Sequence, residues 1–235
     1  MPKGKLYLIP TTISENTQDT VITQQIKSVI SSLDYFLVEN VRTARRYISS
    51  LKLGLTIEDL QFEVLDKKTK DAELERVTKP LLNGKSVGII SESGCPGIAD
   101  PGAKAVELAH KNGIQVVPLS GPSSIFMALM ASGFSGQSFV FHGYIPIDKK
   151  DRILKIKEME SDAIKKYQTQ IFMDTPYRNE KLLNDILASC NTATLLSIAR
   201  DVTGDREFIQ TKTMKDWKKS KPKLNKIPVI FSLYV

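Results

Sequence analysis

The stretch Ser91-Glu92-Ser93-Gly94-Cys95-Pro96-Gly97-Ile98-Ala99-Asp100-Pro101-Gly102 constrains the fold of this chain more than any other. It follows the apolar run of residues 87–90 and precedes residues 103–110, where Ala, Val and Leu recur at helical spacing, so it forms a strand-to-helix corner. Three glycines and two prolines fix an unusual backbone with little side-chain bulk, and Glu92 and Asp100 add carboxylates beside it. A plain turn needs one or two such residues, so the surplus points to a binding loop. Corners of this kind are where open α/β sheets bind their ligands.

The surrounding pattern places that corner in a strand-helix alternation. Strands are expected at residues 5–10, 35–39, 61–65, 86–90 and 114–119, and helices at 20–33, 41–53, 73–82 and 103–111. This βαβ order implies a mostly parallel sheet covered by helices. Ser120-Gly121-Pro122 then reads as a junction, and Ser123 as an N-cap whose helix offers free backbone N–H groups to a ligand. Beyond it come helices at 123–131, 151–159 and 179–187, with strands at 138–141, 169–173 and near 193–199, 206–211 and 227–235. The expected fold class is α/β with two domains: residues 1–119 with the parallel sheet, and residues 120–235 as a smaller α+β domain.

Several classes are disfavoured. There is no Gly-x-x-x-x-Gly-Lys-Ser/Thr, and no Gly-x-Gly-x-x-Gly after the first strand, so ordinary NTP or NAD binding is not expected. No apolar run approaches the ~20 residues of a membrane span, and the lysine-bearing start leads into a strand, so the expected location is cytoplasmic with no membrane contact. Two cysteines, Cys95 and Cys190, and two histidines, His110 and His142, give neither a disulfide framework nor metal-ligand spacing, so no metal is expected. Cys190 reads as a small buried residue. The net charge of +7 is concentrated in residues 212–226, where seven lysines face the single acid Asp216. That segment is either a phosphate-binding patch or a solvated loop, with Trp217 its one aromatic.

The 91–102 loop resembles the Ser-Asp-Ala-Gly-Thr-Pro-x-Ile-Ser-Asp-Pro-Gly segment of the tetrapyrrole methylase superfamily, in the branch of bacterial small-subunit rRNA cytidine 2′-O-methyltransferases. Glu92, Ser93, Cys95 and Ala99 are the departures. The likeness continues in order through Leu6-Tyr7-Leu8-Ile9-Pro10-Thr11, Pro118-Leu119-Ser120-Gly121-Pro122-Ser123-Ser124, Ser132-Gly133-Phe134, Phe139-Val140-Phe141-His142-Gly143-Tyr144-Ile145-Pro146 and Ile171-Phe172-Met173-Asp174-Thr175-Pro176-Tyr177-Arg178. The resemblance implies S-adenosylmethionine as cofactor, folded in a cleft between two domains, and a homodimer. The cofactor-binding residues it suggests are Pro10, Glu92, Gly94, Cys95, Ser123, Ser124, Met173 and Asp174.

Glu39-Asn40-Val41-Arg42 stands where the branch has Glu-Asp-Thr-Arg, and Arg200-Asp201-Val202-Thr203-Gly204 where it has Arg-Glu-Leu-Thr-Lys. Glu39 and Arg42 are the candidate catalytic pair: the carboxylate could orient or deprotonate a hydroxyl and the guanidinium clamp phosphate. Methyl transfer from a sulfonium asks mainly for alignment and exclusion of water, which suits a chain poor in histidine. The expected function is ribose 2′-O-methylation of RNA in the small ribosomal subunit. A porphyrin or corrin ring as acceptor, and a non-catalytic RNA- or cofactor-binding protein, are the alternatives.

Overall fold

The computed structural model describes residues 2–235 and divides into two compact units, Met1–Ser123 and Ser124–Val235. In the first, strands β1 (Lys5–Ile9), β2 (Tyr35–Val38), β3 (Gln61–Val64), β4 (Val87–Ile90) and β5 (Gln115–Pro118) form one parallel sheet in the order β3-β2-β4-β1-β5. All of β2 and β4 is buried, as continuous apolar runs covered on both faces require.

Helices α1 (Gln18–Val21), α2 (Gln24–Ser31), α3 (Val41–Ser50), α4 (Asp71–Leu82) and α5 (Gly102–Lys111) connect the strands. Ile26 and Ile30 of α2 and Ala44 and Ile48 of α3 share a cluster with Ile9, Phe36 and Ile90. Leu74 and Val77 of α4 and Ala105 and Ala109 of α5 cluster with Leu6, Leu37 and Ile89 on the opposite face. The chain therefore leaves β1 and β2 toward one face and β4 toward the other. The single helix expected at 20–33 is broken at Ile22–Thr23, where the Thr23 hydroxyl accepts from the Ile26 N–H at 3.3 Å and caps α2.

In the second unit, α6 (Ser124–Ser132) covers one face of a mixed sheet and α7 (Lys149–Lys166) and α8 (Asn179–Ser189) the other. Its strands are β6 (Phe139–Tyr144), β7 (Thr169–Met173), β8 (Leu195–Arg200), β9 (Phe208–Thr213) and β10 (Val229–Tyr234), in the order β6-β7-β10-β8-β9. Helix α7 outruns the expected 151–159 because Asp148 caps it, accepting from the Lys150 and Asp151 N–H groups at 2.8 and 3.1 Å. A further helix, α9 (Met214–Lys219), lies in the lysine-rich segment and is held by the buried Trp217, whose indole N–H donates to the Leu196 carbonyl at 2.8 Å.

Buried Arg152 ties this unit together. Its guanidinium meets Asp185 of α8 at 2.7 Å and donates to the Ile147 carbonyl at 2.6 Å, fixing α7, α8 and the loop after β6 at once. Arg152→Met leaves the Asp185 charge buried without its partner and is expected to lower unfolding stability by about 3 kcal/mol, with most of that recovered when Asp185 is also replaced by Leu. Urea midpoints of the wild type, both single variants and the double variant check this.

Candidate functional site

Strand β4 lies between β1 and β2, and Ile90 is in register with both Ile9 and Val38. The residues that follow, Pro10, Glu39 and Ser91, therefore emerge side by side at strand spacing, roughly 4.8 Å apart. Because β4 feeds a helix on the face opposite to those fed by β1 and β2, its carboxyl end is a topological switch point. The glycine- and proline-rich loop begins there.

Hydrogen bonds draw three loops of the first unit onto one another. The Gly94 carbonyl accepts from the Thr11 N–H at 2.9 Å and from the buried Ser91 hydroxyl at 2.6 Å. Cys95 Sγ lies 3.4 Å from the Pro122 carbonyl oxygen. Gly94 has φ +69°, and a Cβ on it would stand 3.3 Å from that same oxygen. A Cβ on Gly121 would lie 2.3 Å from Pro10 Cβ, so only glycine lets these two loops meet. The Pro10 carbonyl is held from below by the Tyr47 hydroxyl at 3.0 Å. Burial raises the pKa of both Tyr47 and Cys95, so the phenol remains a donor and the sulfur a thiol.

Three carboxylates gather beside this cradle. Asp100 Oδ1 accepts from the Gly97 and Gly102 N–H groups at 2.9 and 2.7 Å and fastens the second half of the loop. Glu39 is pushed up to about 7 by burial, and further by the charge and hydrogen bond of Asp100 and the charge of Glu92, against the pull of Lys67. Glu92 is raised by burial, opposed by a hydrogen bond from Thr43 and aided by Asp100. A carboxyl group poised near neutrality can accept a proton from a hydroxyl. Arg42 stands exposed in the first turn of α3 and makes no ion pair among the described residues. Asn40 supplies the helix cap, its Oδ1 accepting from the Arg42 and Thr43 N–H groups at 2.9 and 3.2 Å, as an aspartate there would.

Of the cofactor-binding candidates, the first unit thus holds Pro10, Glu92, Gly94 and Cys95 around one cradle, with Ser123 as its last residue. The second unit holds Ser124 at the start of α6, Met173 at the end of β7, and buried Asp174, whose carboxylate is engaged by the Thr175 N–H and by Arg178. Thr11, Tyr47 and Thr43 escaped sequence reasoning as parts of this site, since each acts through a partner distant in the chain. Gly204 lies under the Asp201 carboxylate, and a Cβ there would stand 2.5 Å from Oδ1, so a lysine at this position would require that side chain to swing away. The basic segment is spread along β8. Lys212 pairs opposite Leu196 near the start of β8 and covers the Trp217 ring, whereas the Lys223 carbonyl accepts from Arg200 at the end of that strand. Among the described residues no group of three or more His, Cys, Asp or Glu is arranged to hold a metal, and no helix is long and apolar enough to cross a membrane.

The model of the tetrapyrrole (corrin/porphyrin) methylases matches residues 21–217. "Ribosomal RNA small subunit methyltransferase I" of Vibrio cholerae is 34% identical over 212 residues, covering 89% of this chain and 69% of the relative. The protein of the same name from Thermotoga maritima is 32% identical, covering 97% of this chain and 98% of its own. Two solved structures share the α/β fold at 16% identity. The methyltransferase CobJ does so with a TM-score of 0.64 over 98% of this chain and 94% of its own. Uroporphyrin-III-C-methyltransferase from Thermus thermophilus does so with 0.57 over 99% and 94%.

Two measurements probe the geometry. Gly121→Ala drives a methyl group into Pro10 and is expected to cost about 1–3 kcal/mol of stability, read from the denaturant midpoint. A carboxyl whose pKa rises on folding favours the fold while protonated: the contribution of Glu39 is complete below 4.5, its unperturbed value, and is lost as pH rises through about 7. Glu39→Gln should accordingly be more stable than the wild type at pH 8, by about 1 kcal/mol once solvent screening of this partly exposed group is allowed for. The two proteins should converge below pH 4.5 in unfolding curves taken across that range.

Proposed function

This chain belongs to the tetrapyrrole (corrin/porphyrin) methylase family, and from that premise we propose that it methylates a ribose 2′-hydroxyl of small-subunit ribosomal RNA with S-adenosylmethionine as cofactor. The observation that carries the reading is the cradle of Pro10, Gly94 and Pro122, set beside a carboxyl group held near neutrality and supported by full-length likeness to a relative named for ribosomal RNA.

The residues present suit the cofactor. Loop backbones approach one another closely where Gly94 and Gly121 carry no Cβ, so the cradle presents main chain with little side-chain bulk. When bound, the cofactor supplies a methyl group already activated on a sulfonium. Pro10, Glu92, Gly94, Cys95 and Ser123 would hold it from the first unit, and family resemblance adds Ser124, Met173 and Asp174. Glu39 takes the proton of the ribose hydroxyl as its oxygen becomes the nucleophile, and Asp100 and Glu92 keep Glu39 basic enough for that role. Arg42, unpaired and exposed one turn away, meets the flanking phosphate. The acidic loop and the cationic Arg42 thus divide the work between hydroxyl and backbone.

Two further features belong to this reading. Phe126 and Met130 lie one turn apart on α6 and are 47% and 82% exposed, an apolar face that supports a homodimer. A ribosomal RNA acceptor supports action in the cytoplasm.

Purified protein with labelled cofactor should transfer label to the RNA of small ribosomal subunits and leave porphyrin and corrin precursors unlabelled; label on a ring substrate in place of RNA would overturn the proposal. Glu39→Gln is expected to lower the transfer rate by about 10²–10⁴-fold while S-adenosylhomocysteine still gives a calorimetric signal. Gly94→Phe should abolish that signal. Light scattering should report twice the 26.2 kDa mass of the chain.

A further inference from the structure

Strands β6, β7 and β8 run the same way, since β6 is parallel to β7 and both β7 and β8 are antiparallel to β10. Their carboxyl ends, and the loop that enters β10, therefore line one edge of the second unit's sheet. Two tyrosines stand out on that edge, Tyr144 at 55% and Tyr177 at 76% exposure.

The local structure places both deliberately. Between Phe141 and Tyr144 the register of β6 slips by one residue against β7, at Gly143 with φ +69°. A bulge of this kind re-aims the next side chain, and open space around Gly143 shows that the backbone angle, and not crowding, calls for glycine. Tyr177 sits in the turn between β7 and α8. The Lys226 N–H donates to the Pro176 carbonyl at 3.1 Å, and the Leu224 and Asn225 N–H groups donate to Glu180 at 3.3 and 3.2 Å, which clamps a lysine beside the tyrosine. Lys226 holds φ +58°, a left-handed conformation that non-glycine residues adopt at a cost. Lys149, Lys150, Lys223 and Lys226 are all exposed, and none meets a carboxylate within 4.0 Å among the described residues.

We propose that this edge is a platform for single-stranded RNA, on which Tyr144 and Tyr177 stack against bases while Lys149, Lys150, Lys223 and Lys226 meet phosphates. The proposal rests on the ribosomal RNA reading and names the surface that would position the strand. Stacking faces flanked by unpaired cations match the chemistry of an unpaired nucleic-acid strand, whose every base offers a flat face and every link a negative charge.

Fluorescence anisotropy with a labelled, unstructured oligoribonucleotide tests it. Tyr144→Ala and Tyr177→Ala should each weaken binding about 5- to 100-fold, Tyr177→Phe should bind as the wild type does, and Lys226→Gln should flatten the salt slope by about 0.7. The calorimetric signal with S-adenosylhomocysteine and the thermal midpoint should stay unchanged in all four. Alanine variants that bind the oligonucleotide as tightly as the wild type, while wild-type protein still labels small subunits, overturn the platform and leave the methyltransferase reading standing. Parallel loss of S-adenosylhomocysteine binding would assign the tyrosines to the cofactor and also overturn it. A wild type that neither binds RNA nor labels it removes both.

Discussion

Hydrogen bonding of β4 between β1 and β2 is the constraint on which the candidate site depends. The three strands end level, so Pro10, Glu39 and Ser91 arise together although they are far apart in the chain. Helices leaving to opposite faces keep the space beyond β4 open. The Ser91–Gly94 turn and Thr11 then lock the loop to β1, and the absence of a Cβ at Gly121 lets the third loop close onto Pro10.

The electrostatics follow from the same placement. A chain with net charge +7 concentrates Glu39, Glu92 and Asp100 at one strand end. Burial and mutual repulsion keep Glu39 from ionising as readily as a free carboxylate. Asp100 is spent largely on backbone, with Gly97 and Gly102 as its donors, so the loop's conformation and the proton affinity of Glu39 share one anchor. Shape and acidity cannot be varied independently there.

What was legible in the sequence was local. Glycine and proline in 91–102 report on backbone angles a few residues away, and period-two and period-3.6 patterns report on which face is buried, so the sheet, most helices and the conformation-bearing loop could be read. The break at Ile22–Thr23 and the start of α7 turned on single capping side chains, Thr23 and Asp148, that apolar periodicity does not register. The pairing of Glu39 with Asp100 was hidden because it joins two loops through the sheet. Charge counted along the chain left the lysine-rich segment as either a phosphate-binding patch or a solvated loop, because it carries no information on where the lysines lie in space. In space it runs from beside Leu196 to beside Arg200, four residues or roughly 13 Å along β8 at strand rise, with Trp217 turned into the core.

Asn40 shows that geometry and charge are separable at the mouth of the site. Its Oδ1 caps α3 with two hydrogen bonds, and a carboxylate oxygen in the same place would make both. Exchanging one side chain for the other leaves the backbone where it is and changes the local charge by one unit next to Glu39. The position therefore works as a dial on proton affinity that evolution, or a protein engineer, can turn without rebuilding the helix it caps.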